Sequence, residues 1–197
     1  LSIFTATGAA ASVIRNAGKA TTSGFELEAS YAPTSALRLQ ASYGYLSGKY
    51  NEFMDAGVNV ADNRAFVHAP KNSFSLSVDW LMAQTAWGPL RLQSDYAFTD
   101  AFYAYPFQLQ SSGPNYNAGA AVAGNTRVQS NGMLNGRLIL NDIKTSSGKM
   151  QLSVWGRNLT NTNHIENFID FGPGFGNLTQ AYFNQPRMVG VSAALKW

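Results

Sequence analysis

The chain has 197 residues, room for one domain of ordinary size, with 45% hydrophobic and only 13% charged residues, about half the charge usual in a soluble domain. No apolar run reaches the roughly 18 residues of a transmembrane helix, so the low charge points instead to a barrel, where alternating faces dilute hydropathy. The absence of cysteine excludes disulfides and thiolate metal sites, and a net charge of +3 without a Lys/Arg cluster gives no reason to expect nucleic acid.

The chain begins at Leu1 rather than methionine, and residues 1–4 already read as strand. The start is therefore expected to be a cut and not a processed end. Next, Phe25, Leu27, Ala29 and Tyr31 share a face opposite Glu26, Glu28 and Ser30. Leu37, Leu39, Ala41, Tyr43 and Tyr45 oppose Arg38, Gln40, Ser42 and Gly44. Phe74, Leu76, Val78, Trp80 and Met82 oppose Ser73, Ser75, Ser77 and Asp79. Leu90, Leu92, Tyr96, Phe98 and Phe102 oppose Arg91, Gln93, Asp95 and Thr99. Leu134, Leu138 and Leu140 oppose Asn135, Arg137 and Asn141. Met150, Leu152 and Val154 oppose Gln151, Ser153 and Arg157, with Trp155 out of phase on the polar face. Val189, Val191, Ala193, Leu195 and Trp197 close the chain. A period of two means strands with one oily and one wet face; a helix would gather apolar residues every three or four positions. The last strand alone also fits a soluble sandwich.

The connections decide between the two. Short links at 33–35, 86–89 and 144–148 alternate with long ones over about 5–19, 54–71, 105–127 and 158–185. Transmembrane barrels pair short periplasmic turns with long extracellular loops, whereas long structureless loops are uncommon in compact soluble domains. Tyr31, Trp87 and Trp197 then fall at the periplasmic interface, and Tyr45, Tyr50, Phe53 and Phe102 at the outer one, where amphipathic rings are favoured. Glu26, Glu28, Arg38, Asp79, Arg91, Asp95 and Arg137 point into the lumen, as cross-strand pairs or as substrate contacts. Arg187 and Asp100 are charges on the oily side, both near outer ends, where the cost is about 0–1 kcal/mol rather than the roughly 2–4 of a midplane Arg.

Five segments carry a resemblance. Gly24-Phe25-Glu26-Leu27-Glu28 with Tyr31 and Pro33, then 39–45, then Pro70-Lys71-Asn72, then 155–161 (WGRNLTN), and finally Tyr182, Pro186, Arg187, Gly190 and the terminal aromatic follow in order. Together they resemble the TonB-dependent outer-membrane receptors. The resemblance implies an all-β, antiparallel transmembrane barrel in which about eight strands of this chain form the C-terminal portion of a barrel of about 22. It places residues 1–197 in that portion, with the plug domain, the TonB box and the N-terminal strands absent. It also implies the outer membrane of a Gram-negative bacterium, crossed many times.

The function expected is TonB-dependent uptake of a large scarce solute such as a ferric siderophore, without enzymatic activity and without a cofactor. The alternative is a self-contained small barrel with an adhesion, structural or enzymatic role, closed by residues 1–4 against 189–197. The expected partners are outer-membrane lipid, the missing plug and strands, the TonB system through that missing part, the barrel-assembly machinery and a small-molecule substrate. Arg64, His68, Tyr105, Tyr116, Arg127, His164 and Asn167 in the outer loops are the candidate ligand contacts. Tyr, Arg and Asn suit an anionic or polyhydroxylated ligand, although the same residues also serve to pack loops together. Trp197, Leu195 and Val191 are the candidate assembly signal. No nucleophile elbow or metal-ligand spacing is present, and Gly172-Pro173-Gly174-Phe175-Gly176 reads as a turn.

Overall fold

A computed structural model describes residues 2–4, 10–12, 18–110, 115–116, 122–171, 176 and 178–197. A small hairpin, β1 (Ser2–Phe4) and β2 (Ala10–Ser12), comes first. Then follow β3 (Gly18–Thr34), β4 (Leu37–Asp55) and the short β5 (Val58–Asn59). After them come β6 (Asn72–Thr85), β7 (Gly88–Thr99) and β8 (Phe102–Tyr103). The chain continues through β9 (Arg127–Val128), β10 (Asn131–Thr145) and β11 (Gly148–Arg157). It ends with β12 (Ile165–Asp170), β13 (Thr179–Phe183) and β14 (Met188–Lys196).

The long strands form one antiparallel meander in the order β3-β4-β6-β7-β10-β11-β14, with β5 paired to the top of β4. Register carries the period-two pattern across the sheet. One row reads Leu27, Tyr43, Phe74, Phe98; a lower one reads Trp80, Leu92, Leu138, Val154, Val191. Among the described residues no second layer covers this apolar face: Leu27 is 61% exposed and Val191 80%. In water such a surface would aggregate; in a bilayer it is the solvated side.

Two of the short links use the same local solution. Thr85-Ala86-Trp87-Gly88 and Thr145-Ser146-Ser147-Gly148 each end on a glycine with positive φ, 137° and 140°. In each, the threonine Oγ1 donates to the glycine carbonyl, at 2.7 and 2.9 Å. Any Cβ at Gly88 would lie 1.9 Å from the Asn141 carbonyl oxygen, and at Gly148 2.1 Å from that of Lys196, so only glycine fits.

The structure corrects several expected positions. Phe102 lies beyond β7, in β8, packed on the loop core. Tyr50 and Phe53 are not girdle residues: they pack on each other at 5.0 Å, and Tyr50 meets Phe66 at 4.9 Å. Aromatic clustering on the apolar face falls on Phe25, Tyr43, Tyr45, Phe74, Tyr96 and Phe98, with ring separations of 5.3–5.8 Å. The ladder between β4 and β6 ends at Tyr45–Asn72, while β3 and β4 stay paired up to Gly18–Phe53. Their hairpin therefore stands well above the wall.

Candidate functional site

Two concave regions gather polar side chains. The first is the inner face of the wall, enclosing about 660 Å³. Strand alternation places Arg38, Asp79, Arg91, Gln93, Asp95, Asn135 and Arg137 there, as their positions in sequence require. Arg91 Nη1 donates to both Asp79 oxygens, at 2.8 and 2.9 Å. Asn135 Nδ2 donates to Asp95 at 2.8 Å, and Arg137 grips Ser153 Oγ through Nε and Nη2 at 3.1 and 2.8 Å. Trp155, the out-of-phase aromatic, lies across Gly190; a Cβ there would meet its ring at 2.5 Å. Its indole N–H donates to Ser192 Oγ at 3.1 Å, and the Arg157 guanidinium sits 6.0 Å from its ring. Among the described residues Arg38, Arg137 and Arg157 form no ion pair, and neither do Asp95, Glu26 and Glu28, so this surface keeps charges of both signs.

The second region is a cap built by the long loops, and it holds most of the buried residues. Ala104, Val128 and Phe168 form a small core joined by Phe102, Tyr105, Ile165 and Ala181. The first loop bonds to the second through Ala65 N–H to the Phe107 carbonyl and His68 N–H to the Tyr103 carbonyl, both at 3.0 Å. Buried Asn63 accepts from Gln110 N–H at 2.8 Å and donates to the Asn115 carbonyl at 3.3 Å.

The candidate ligand residues divide accordingly. Arg64 is largely withdrawn from solvent: it pairs with Asp55 at 2.9 Å, donates to the Asn63 carbonyl and covers the Phe53 ring. The Tyr105 hydroxyl donates to the Phe168 carbonyl and accepts from Asp170 N–H, each at 3.2 Å. Asn167 Oδ1 accepts from Phe168 N–H at 2.9 Å. His68 is exposed, at φ 50°, with its ring 5.7 Å from Phe102. Tyr116 and Arg127 are exposed, the latter reaching Gln129 at 3.4 Å. His164 is half-buried; its Nδ1 has no hydrogen-bond partner among the described residues, and burial pushes its pKa down against the opposing pull of Glu166. Asp100 is held below the usual carboxylate range by the Asn72 amide and Ala101 N–H, with Arg127 and Lys71 adding to the effect. Residues 172–175, including Phe175, lie outside the described residues.

The Asn158-Leu159-Thr160-Asn161 segment secures the third loop. Asn158, at φ 50° and buried, donates to the Thr162 and Gln185 carbonyls at 2.8 and 3.0 Å. Asn184 donates to the same two carbonyls at the same distances, tying the outgoing chain to the returning one. Leu159 folds over Gly156, where any Cβ would meet its side chain at 2.5 Å.

Sequence reasoning did not bring together Lys49, Tyr50, Phe66, Lys71 and Tyr103, which line a hollow of about 570 Å³ beside the top of β4. Nothing in their spacing joins them; they meet because β6 stops short while β4 continues. Among the described residues no three His, Asp or Glu side chains are placed to hold a metal ion. Among the described residues no helix is long and apolar enough to cross a membrane, which does not bear on strands.

Residues 2–159 match the family described as TonB dependent receptor-like, beta-barrel. The chain belongs to the TonB-dependent receptor barrel family. The resemblance read from residues 24–28, 70–72 and 155–161 is thereby borne out, as is the all-β antiparallel barrel architecture. The family is one of Gram-negative outer-membrane proteins, the setting that the two-faced wall requires. Among solved structures, the ferric yersiniabactin uptake receptor FyuA from Yersinia pestis is similar over 90% of this chain, with a TM-score of 0.64 and 19% identity. At that identity the likeness is one of fold. The chain spans about a quarter of that receptor's length, 24%. No curated protein sequence matches the chain.

Proposed function

We propose that this chain supplies the C-terminal wall and outer loops of a TonB-dependent receptor that takes up a large scarce solute, such as a ferric siderophore, across the outer membrane. The observation that carries this reading is the pairing of a fully uncovered apolar face with an inner face of arginines, amides and an inward Trp. Arg38, Arg137, Arg157 and Asp95, outside any ion pair among the described residues, leave charges of both signs for a solute to meet.

The outer strands of the sheet support the need for the rest of the barrel. Among the described residues β3 pairs only with β4 and β14 only with β11. Two long open edges are untenable in hydrocarbon, where each unpaired backbone group costs several kcal/mol. Further strands of the same receptor are the partners proposed for them, with a plug inside. The alternative small barrel needs residues 1–4 against 189–197; instead Ser2–Phe4 pairs with Ala10–Ser12. Coupling to TonB through the missing part, recognition of Trp197, Leu195 and Val191 by the barrel-assembly machinery, and a receptor rather than an enzymatic role belong to the same proposal.

The test is uptake of radiolabelled iron from a panel of siderophores by cells whose only receptor is the complete protein. Energised uptake that a protonophore or loss of TonB abolishes is expected. Uptake indifferent to both would remove the coupling, and no uptake from any iron source or sugar would remove the transport reading.

A further inference from the structure

The wall carries a row of like charges at its short-turn end. Lys144 of β10 stands directly opposite Lys149 of β11, and Lys149 directly opposite Lys196 of β14. Like charges in facing positions destabilise a sheet, so the row is costly unless something of opposite sign covers it. The three lysines are far apart in the chain and meet only through register.

A bulge completes the row. Between Leu140 and Ile143, β10 carries one residue more than β11, and Asp142 there adopts φ 53°. With unbroken alternation Lys144 would share the oily side of Leu138 and Leu140. The extra residue instead sets Ile143 opposite Met150 on that side and turns Lys144 to the inner one, beside Lys149. Lys149 shares the inner side with Gln151 and Ser153, and Lys196 shares it with Ala194 and Ser192. Ser153 and Ser192 are the hydroxyls that Arg137 and Trp155 hold inside the wall.

Charge and spacing agree on a partner. All three lysines are exposed. Lys149 pairs with Asp142 at 3.2 Å, whereas among the described residues Lys144 and Lys196 form no ion pair. Three neighbouring strands set the outer two lysines about 10 Å apart, and same-side residues of an extended peptide lie about 7 Å apart. Two such carboxylates fit among the three ammonium groups and gain charge-assisted hydrogen bonds.

We propose that this row docks an extended acidic peptide segment at the periplasmic opening of the barrel, its alternate carboxylates set among Lys144, Lys149 and Lys196. The proposal rests on the receptor reading, which makes the short-turn end periplasmic. A lipid headgroup is the poorer partner, because Ile143, Met150 and Leu195 face the bilayer while the lysines start from the inner side.

Fluorescence anisotropy on the complete receptor in nanodiscs of zwitterionic lipid tests it. The probes are a labelled peptide of alternating Glu and Ser, about ten residues long, and its Gln–Ser counterpart. The Glu peptide is expected to bind more tightly by about tenfold or more. The Lys144→Gln, Lys196→Gln double variant loses that advantage, and Asp142→Asn, which removes the competing carboxylate, tightens the Glu peptide. Equal binding of the two peptides, undiminished preference in the double variant, or weaker binding in Asp142→Asn overturns the site. Nanodiscs containing phosphatidylglycerol form the lipid arm: peptide binding unchanged there supports the inner location, and binding abolished there assigns the lysines to headgroups and overturns the proposal. The iron-uptake experiment separates the two readings. Peptide binding at the row without energised uptake leaves the docking surface and removes the transporter; uptake without peptide binding does the reverse.

Discussion

The wall and the cap solve opposite problems with one chain. In the wall, strand ladders satisfy the backbone, and large side chains such as Leu27, Val154 and Val191 stand uncovered. In the cap, short strands and turns leave many polar groups inside, and Asn63, Gln108, Thr126, Asn158, Asp170 and Asn184 are buried among bonds to neighbouring loops. The wall has lipid as its solvent and needs no core of its own. The cap has water on its outside and holds its shape through a small apolar cluster and through amides that grip carbonyls. Stability is thus local in the cap and collective in the wall, which sets how each should fail.

The largest expected effect is in the cap. Phe168→Ala removes the biggest member of its core and should cost about 3–5 kcal/mol of local loop stability. Hydrogen exchange in the complete barrel should show β8, β9 and β12 losing protection while β6 and β7 keep theirs; equal loss in both would mean that wall and cap form one cooperative unit. In the wall, Leu138→Arg puts a charge at mid-strand on the apolar face and should cost about 2–4 kcal/mol in lipid, against within about 0.5 for Gln40→Arg on the inner face. Urea unfolding from vesicles measures both, and similar costs would deny that the faces differ. Asn158→Ala strips two carbonyls of a donor and should cost about 1–3 kcal/mol, read as faster proteolysis within residues 160–185. Intact resistance would show that Asn184 alone holds the loop.

The smallest effect is a pH dependence. Burial holds the His164 pKa below its ordinary 6.5, so the undocked loop binds more protons than the docked one between the two values. Docking of the β12–β13 hairpin should be complete above about 6.5 and weaken as the pH falls from there toward the docked-state pKa. Exchange protection of β12 at pH 7.5 and 5.5 reads this, and His164→Gln should flatten it.

The wall was legible in the sequence because a strand reports its solvent at every second residue. The alternations from Phe25 to Tyr31 and from Phe74 to Trp80 appear unchanged in the register, and Trp155 kept its place on the polar face. The cap was not legible, because its contacts join residues far apart without a period. Tyr105 meets Phe168 and Asp170 more than 60 positions away. Tyr50 and Phe53 were misplaced for a related reason: an aromatic near a strand end has the same pattern whether it meets headgroups or a neighbouring loop. The upper limit of β4 is equally silent, since Leu46 to Asp55 continue the strand into water beyond the last β6 partner.

The central claim is that alternate residues of one strand meet acyl chains and water. Single cysteines can be placed in β6 at positions 73 to 78 of the complete receptor, with any cysteine outside this chain replaced, and spin-labelled. Collision with lipid-soluble oxygen should peak at 74, 76 and 78, and collision with a water-soluble nickel chelate at 73, 75 and 77. A flat profile for both reagents, or oxygen access at the serine positions, would contradict the account.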